Sequence, residues 1–570
     1  MNQSFIMLPS DPMVPREYDR RVSYFSIRQT DYGLNEQKAA QKRYITKWRL
    51  EPKDEKAYLR GQLVEPKKPI IYYIDPATPK KWVPYLKKGV DDWQRSFEKI
   101  GFKNAIMAKE APSKAENPNW TPEDVRYSTI RYISTDIQNA QGPHVHDPRT
   151  GEILESDILW YHNVMNLLRN WFLIQTSAVN PDARGVKFDD AVMGELIRFV
   201  AAHEVGHTLG LPHNMGSSVG YTVDQLRSPE FTSTHGTAPS IMDYARFNYV
   251  AQPEDGVTSF FPGIGEYDDW SIEYGYKYLA NISSSEQEKP YWNQAIKDKA
   301  GNPLYRFGFA NRIDPTAQTE DLGDDSMVAS ELGLKNLKRI IPQLITWTTA
   351  NGKTYDDLDE LYGNVIGQFR RYIGHVTTNI GGVYEYNKTY DQAGDVYDYV
   401  EKEKQQRAVD FLNKHVFQTP DWLIEKSILD KIDDTGHMEG IRNLQMRTLG
   451  GVFNADRLNR LMEADAMNGS TAYSMSDLFK GITDGIFSEL SNNTSIDPFR
   501  RNLQRGYVDQ MAALMKLDKS TYSQSDIKAM ARGYLKKVKS RLSAANYSDD
   551  LQRFHIDDMV ARIDEILDID

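Results

Sequence analysis

The stretch His203-Glu204-Val205-Gly206-His207-Thr208-Leu209-Gly210-Leu211-Pro212-His213 decides how this chain is read. Two histidines four apart on a helix project from one face, at a separation that a single zinc ion bridges. Glu204, beside the first of them, reaches a metal-held water without being a ligand itself. Gly210 permits the sharp turn that returns His213 to the same metal. One site thus accounts for four ionisable side chains within eleven residues, with His203, His207 and His213 as ligands and Glu204 as base. Stray histidines on a surface helix would leave that coincidence unexplained.

The surroundings of the motif agree with a helix set in a core. Asp189 and Asp190 stand where N-terminal caps are expected, and Val192, Leu196, Phe199 and Val200 follow at helical spacing. Upstream, Pro69-Ile70-Ile71-Tyr72-Tyr73-Ile74 is a short apolar run between prolines and reads as a buried strand. Trp82, Leu86, Val90, Trp93 and Phe97 then repeat with a helical period that stops at Gly101. Residues 102–107 and 127–133 read as further strands. Pro148-Arg149-Thr150-Gly151 signals a turn between two extended stretches. His144 and His146 alternate on one strand face; without a third ligand at a recognisable spacing they read as exposed histidines, not as a second metal site.

The eleven residues resemble the zinc-binding signature of the metzincin clan of metallopeptidases. That clan also carries a methionine turn downstream, and Ser240-Ile241-Met242-Asp243-Tyr244 fits it, 29 residues after His213. The resemblance covers about 70–280. It implies an α+β fold, with a twisted mixed sheet and zinc helix in the catalytic domain and a mainly α-helical domain after it. It also implies that residues around 142–147 form the edge strand with which an extended substrate pairs. In astacin-like and serralysin-like members a tyrosine two residues after the methionine lies close to the zinc. Tyr244 holds that position, either as a distant ligand, as an oxyanion donor, or as a ring packed beneath the site. Gly265–Tyr276 resembles the start of the closing helix, with Asp268 or Asp269 as its N-cap. Asn214, just after the third histidine, matches none of the best-known subfamilies.

Composition bounds the rest. A chain of 570 residues is too long for one core, and its net charge of −11 without an offsetting basic run argues against a nucleic-acid partner. No apolar segment approaches the length of a membrane span. The chain has no cysteine, which excludes disulfides and thiolate metal sites and suits a bacterial protein exported to an oxidising space. No signal peptide is visible at Met1-Asn2-Gln3-Ser4-Phe5, and the start is abrupt enough to suggest a truncated N-terminus. Pro15–Phe25 and Arg43–Leu50 resemble the segment that precedes the catalytic domain in large exported bacterial zinc-dependent metalloproteases. Export is therefore expected from resemblance alone.

Four regions are expected: a partial β-rich extension at 1–66, the catalytic domain at 67–280, a connector at 281–330 and a helical domain at 331–570. In the connector, Asp314, Asp321, Asp324 and Asp325 cluster about Gly323. A calcium loop is the alternative there, but the spacing matches no EF-hand and a solvated acidic turn is expected. Thr354-Tyr355-Asp356-Asp357 reads as a capping box, followed by the helical period Leu358, Leu361, Tyr362, Val365 and Phe369. Leu478/Ile482/Ile486, Leu503/Tyr507/Met511/Leu514 and 527–542 repeat that pattern with no fixed repeat length.

The expected activity is zinc-dependent endopeptidase action on a peptide or protein substrate, with one catalytic Zn2+, a zinc-activated water and Glu204 as general base. The alternatives are a zinc hydrolase acting on a non-peptide or cell-wall amide, and a zinc-binding scaffold with weak activity. Side-chain preference and oligomeric state are not legible.

Overall fold

The structure, a computed structural model, describes residues 4–33, 37–492, 494–517 and 524–568. The first three residues of the abrupt start, Met1 to Gln3, lie outside them. The chain divides into two compact units. The first runs to Ala310 and includes Thr316–Asp325 and Asn387–Gly394; the second comprises Asn311–Pro315, Ser326–Tyr386 and the chain from Asp395.

The first unit is built on a five-stranded sheet. Its strands are β1 (Ile70–Ile74), β2 (Ile106–Glu110), β3 (Ser128–Ile133), β4 (Ala140–Gln141) and β5 (Ile158–Tyr161), in the order β2-β1-β3-β5-β4. The first four in that order are parallel, with Ile70 opposite Ile106 and Tyr72 opposite Ser128. β4 closes the edge antiparallel to β5, Ala140 facing Trp160. Ile70, Tyr72 and Ile74 are buried as an alternate set, the period that places one face of β1 in the core.

Where one helical period ran from Trp82 to Phe97, two helices form: α1 (Val83–Asp91) and α2 (Gln94–Lys99). Next come α3 (Val164–Thr176) and the metal-site helix α4 (Asp190–Thr208), which packs against α1. Leu196, Ile197, Phe199, Val200, Ala201, Ala202 and Val205 of α4 are all buried. A helix apolar on most sides is an interior one, and the polar motif residues stand out on it for that reason. Asp189 is the N-cap residue of α4 by backbone conformation, without a side-chain capping bond.

Several sequence expectations shift here. The sheet edge is Ala140–Gln141, not residues 142–147; Val145–His146 leaves the sheet and pairs with Ile153–Glu155 in its own hairpin. α5 (Glu266–Tyr276) takes Gly265 as N-cap, because Asp268 turns inward and accepts from the Gly265 N–H at 2.9 Å. The acidic cluster is not uniformly solvated: Asp314 and Asp321 are only 1% and 3% exposed, whereas Asp324 is exposed. Asp321 accepts from Ser218 Oγ and Asp324 from the Val223 N–H. Within 281–330, α6 (Ser285–Lys299) buries Trp292 and Ile296.

The second unit is helical apart from a short hairpin of Val383–Glu385 with Tyr397–Tyr399. Its repeating periods materialise as Asp356–Thr378, Met475–Ile486, Pro498–Met515 and Ile527–Ala544, with Leu478, Ile482, Ile486, Leu503, Tyr507 and Met511 in the core. The capping box expected at Thr354 is absent; Tyr355 is the N-cap residue, and Thr354 Oγ1 donates to Asp356 instead. Together the units give an α+β architecture, as the sequence indicates. Among the described residues no helix is long and apolar enough to cross a membrane.

Candidate metal centre

The end of α4 carries the site, and its last turn is closed with unusual completeness. Gly210, at φ +94°, is followed by a bond from the Leu211 N–H to Gly206 O, while the Gly210 N–H reaches His207 O. This is the paired pattern of a Schellman cap, which needs a left-handed residue at the turn. The carbonyls left over at a helix C-terminus need other donors. Trp48 Nε1 serves Thr208 O at 2.9 Å, the Tyr276 hydroxyl serves Leu209 O at 2.7 Å, and the Phe25 N–H serves Gly210 O at 2.8 Å. The chain leaves that cap aimed back across the helix face, and His213 meets His203 and His207.

Their geometry is specific. His203 Nδ1 lies 2.7 Å from Ile241 O and His207 Nδ1 lies 2.8 Å from Leu211 O. A carbonyl can only accept, so each Nδ1 carries the hydrogen and each Nε2 keeps a lone pair. These two Nε2 atoms stand 3.2 Å and 3.1 Å from His213 Nε2. A tetrahedral ion bonded to nitrogen at about 2.0–2.1 Å sets its ligand atoms about 3.3 Å apart. The three rings therefore present the donor set and spacing that zinc takes. Among the described residues this is the one group of three or more acidic or histidine side chains that could hold a metal ion.

Burial tunes the set towards ligation. The imidazolium form is disfavoured for all three, chiefly by desolvation: His203 is pushed well below the usual histidine range, His207 is lowered, and His213 falls to about 3. Neutral imidazole is the form with a lone pair to give. Glu204 is 7% exposed and its Oε2 has no hydrogen-bond partner. Burial raises its carboxyl to about 8, opposed by the positive charge of Arg246. An unpaired buried carboxylate oxygen is costly unless something else fills the space it faces.

Tyr244 joins the same cluster, its ring 4.2 Å from that of His213 and 5.5 Å from that of His203. The Arg246 guanidinium lies over the rings of both Tyr244 and Trp171, at 4.1 Å and 3.6 Å. His144 and His146 stand with rings 5.4 Å apart and are both partly buried, not exposed; desolvation lowers His144 to about 4.

Three residues have supporting roles that the sequence did not reveal. Gly206, inside the motif, has Met242 directly against it: a Cβ there would stand 2.2 Å from Met242 Sδ. Asp268 is fully buried and takes Ser240 Oγ at 2.6 Å and the Ile241 N–H at 2.8 Å, so it holds the turn whose Ile241 carbonyl orients His203. Asn214 ties the segment after His213 to residues 306–308, giving Nδ2–H to Arg306 O and accepting the Gly308 N–H. The signal for Asp268 was its place at a helix start, which reads equally as a cap. Gly206 occupies a position the motif leaves open.

An HExxHxxGxxH helix end, a buried methionine beneath it and an antiparallel edge on a parallel sheet define a metzincin-type zinc metallopeptidase. A family model described as Met-zincin matches residues 185–494, and the chain belongs to that family. A second model, described as a domain of unknown function (DUF5117), matches residues 1–53. No curated protein and no solved structure matches the chain.

Proposed function

We propose that this chain is an endopeptidase in which His203, His207 and His213 hold one zinc ion and Glu204 is the general base. The observation that carries the reading is Glu204 Oε2: buried, unpartnered and one residue from the first of three converging imidazoles. Zinc, when bound, supplies a Lewis acid that polarises a carbonyl and lets water lose its proton near neutral pH. Glu204 takes that proton as the water oxygen bonds to the peptide carbonyl carbon, then gives a proton to the nitrogen as the C–N bond breaks. The Tyr244 hydroxyl donates to the oxygen that becomes negative during addition. His203 and His207 are kept in the ligating tautomer by Ile241 O and Leu211 O. The edge strand β4 offers its backbone to an extended peptide.

Glu204→Gln tests the assignment. The variant keeps one zinc per chain and the wild-type unfolding midpoint, while chelator-sensitive peptide cleavage falls by roughly 100- to 10,000-fold. Cleavage at the wild-type rate rules out the base. Turnover of a cell-wall amide with no cleavage in a diverse peptide library rules out the peptide substrate.

A further inference from the structure

Phe25 stands where the N-terminal segment meets the capped end of α4, and its backbone is held on both sides. Its N–H donates to Gly210 O at 2.8 Å, and its carbonyl accepts the Thr46 N–H at 2.8 Å and Thr46 Oγ1 at 3.2 Å. Gly210 makes the approach possible, since a Cβ there would lie 2.1 Å from Thr46 O. The Phe25 ring lies 5.9 Å from the ring of His207 and 5.9 Å from that of His144. Yet 38% of Phe25 remains exposed. A single exposed aromatic is ordinary on a protein surface. This one is fixed at its root, neighbours an imidazole of the candidate metal centre, and keeps apolar surface open to solvent.

Tyr244 neighbours His213 and His203, while Phe25 neighbours His207, so aromatic rings from two distant segments border the three histidines. The edge strand leads towards the second of these rings. Gly142, next after β4, brings its backbone so close to α4 that a Cβ would stand 2.7 Å from Glu204 O, and two residues on His144 meets Phe25. A peptide paired along that edge would run towards the His144 and Phe25 rings.

We infer that Phe25 is a specificity-determining residue, the wall of a subsite beside His207 that accepts a large apolar or aromatic substrate side chain. The inference rests on the proposed peptidase reading, and it gives the 1–53 segment a share in substrate choice although the Met-zincin match begins at 185.

The test uses the full-length chain with Phe25→Ala and Phe25→Leu, each also combined with Glu204→Gln. Cleavage of a peptide library is profiled for the single variants, and binding of the same peptides by fluorescence anisotropy for the Glu204→Gln series. Phe25→Ala is expected to lower kcat/KM about 10-fold or more for peptides with a large apolar residue next to the scissile bond. The loss falls on KM, zinc content stays at the wild-type value, and peptides with a small residue there are cleaved about as before. Phe25→Leu keeps the aliphatic part of the preference. An unchanged profile overturns the inference, and so does a uniform loss across all peptides with lowered zinc. If the wild type cleaves nothing but the binding preference is present and lost with Phe25→Ala, the peptidase reading fails and the subsite stands. Absence of any peptide binding removes both.

Discussion

Gly206→Ala sets two opposed effects against each other inside the motif. Alanine in a helix interior is favoured over glycine by about 1 kcal/mol, and Gly206 is two residues from the end of α4. On propensity alone the variant gains stability. Against that, the added methyl carbon would lie 2.2 Å from Met242 Sδ, 3.0 Å from Trp93 Cζ2 and 3.2 Å from Met242 Cε. Ordinary contact between such atoms is about 3.5–4.0 Å, so the overlap exceeds an ångström. Met242 is 1% exposed and cannot swing into solvent. Overpacking of this kind costs about 1–3 kcal/mol, and the depth of the clash argues for the upper part of that range.

The net expectation is a loss of about 1–2 kcal/mol in the transition of the first unit, with weaker zinc binding. The displaced methionine pushes on Ile241, whose carbonyl positions His203. The check is urea unfolding followed by tryptophan fluorescence, with Trp93 beside the substituted position, together with zinc titration. The same substitution in a Met242→Ala background separates sterics from everything else. Met242→Ala alone is destabilising, as the truncation of a buried methionine is, but it removes the obstructing thioether. There most of the clash is gone, only the 3.0 Å approach to Trp93 Cζ2 remains, and the cost of Gly206→Ala should shrink towards zero. A wild-type-like Gly206→Ala, or a cost undiminished without Met242, refutes the account of why this position is glycine.

Two further expectations follow from the same architecture. Asp268→Ala strips the acceptor from Ser240 Oγ, the Ile241 N–H and the Gly265 N–H. Stranding buried donors costs about 1–3 kcal/mol each, and loosening a ligand's partner costs about 10- to 100-fold in metal affinity; zinc affinity equal to wild type would show that the turn does not orient His203. His213→Ala should leave α4 and its cap intact while lowering zinc occupancy in an equilibrium metal assay, and an unchanged metal content would remove His213 from the ligand set.

The motif was legible because its chemistry is local. An i, i+4 pair shares a helix face by the helical repeat alone, and a glycine at the cap turns the chain by its own backbone freedom. Strand and helix order upstream was legible for a similar reason: 70–74 is an unbroken apolar run bounded by prolines, which reads as a strand, although its alternation of buried Ile70, Tyr72 and Ile74 appears only in the sheet. Boundaries that depend on distant partners were not. Asp268 read as a helix cap because nothing local records that Ser240 and Ile241 arrive at its carboxylate, and Asp321 read as solvated because Ser218, its partner, is over a hundred residues away.

Sequence by itself marked the three candidate metal ligands and the neighbouring glutamate through spacings of a few residues, and the resemblance those residues carry implied the α+β class and the methionine turn. Tertiary structure decided why Gly206 admits no side chain, which residues hold His203 in its tautomer, and that Phe25 stands beside His207. Those facts are contacts between segments far apart in the chain, set by packing and by the satisfaction of buried donors and acceptors, and no local pattern encodes them.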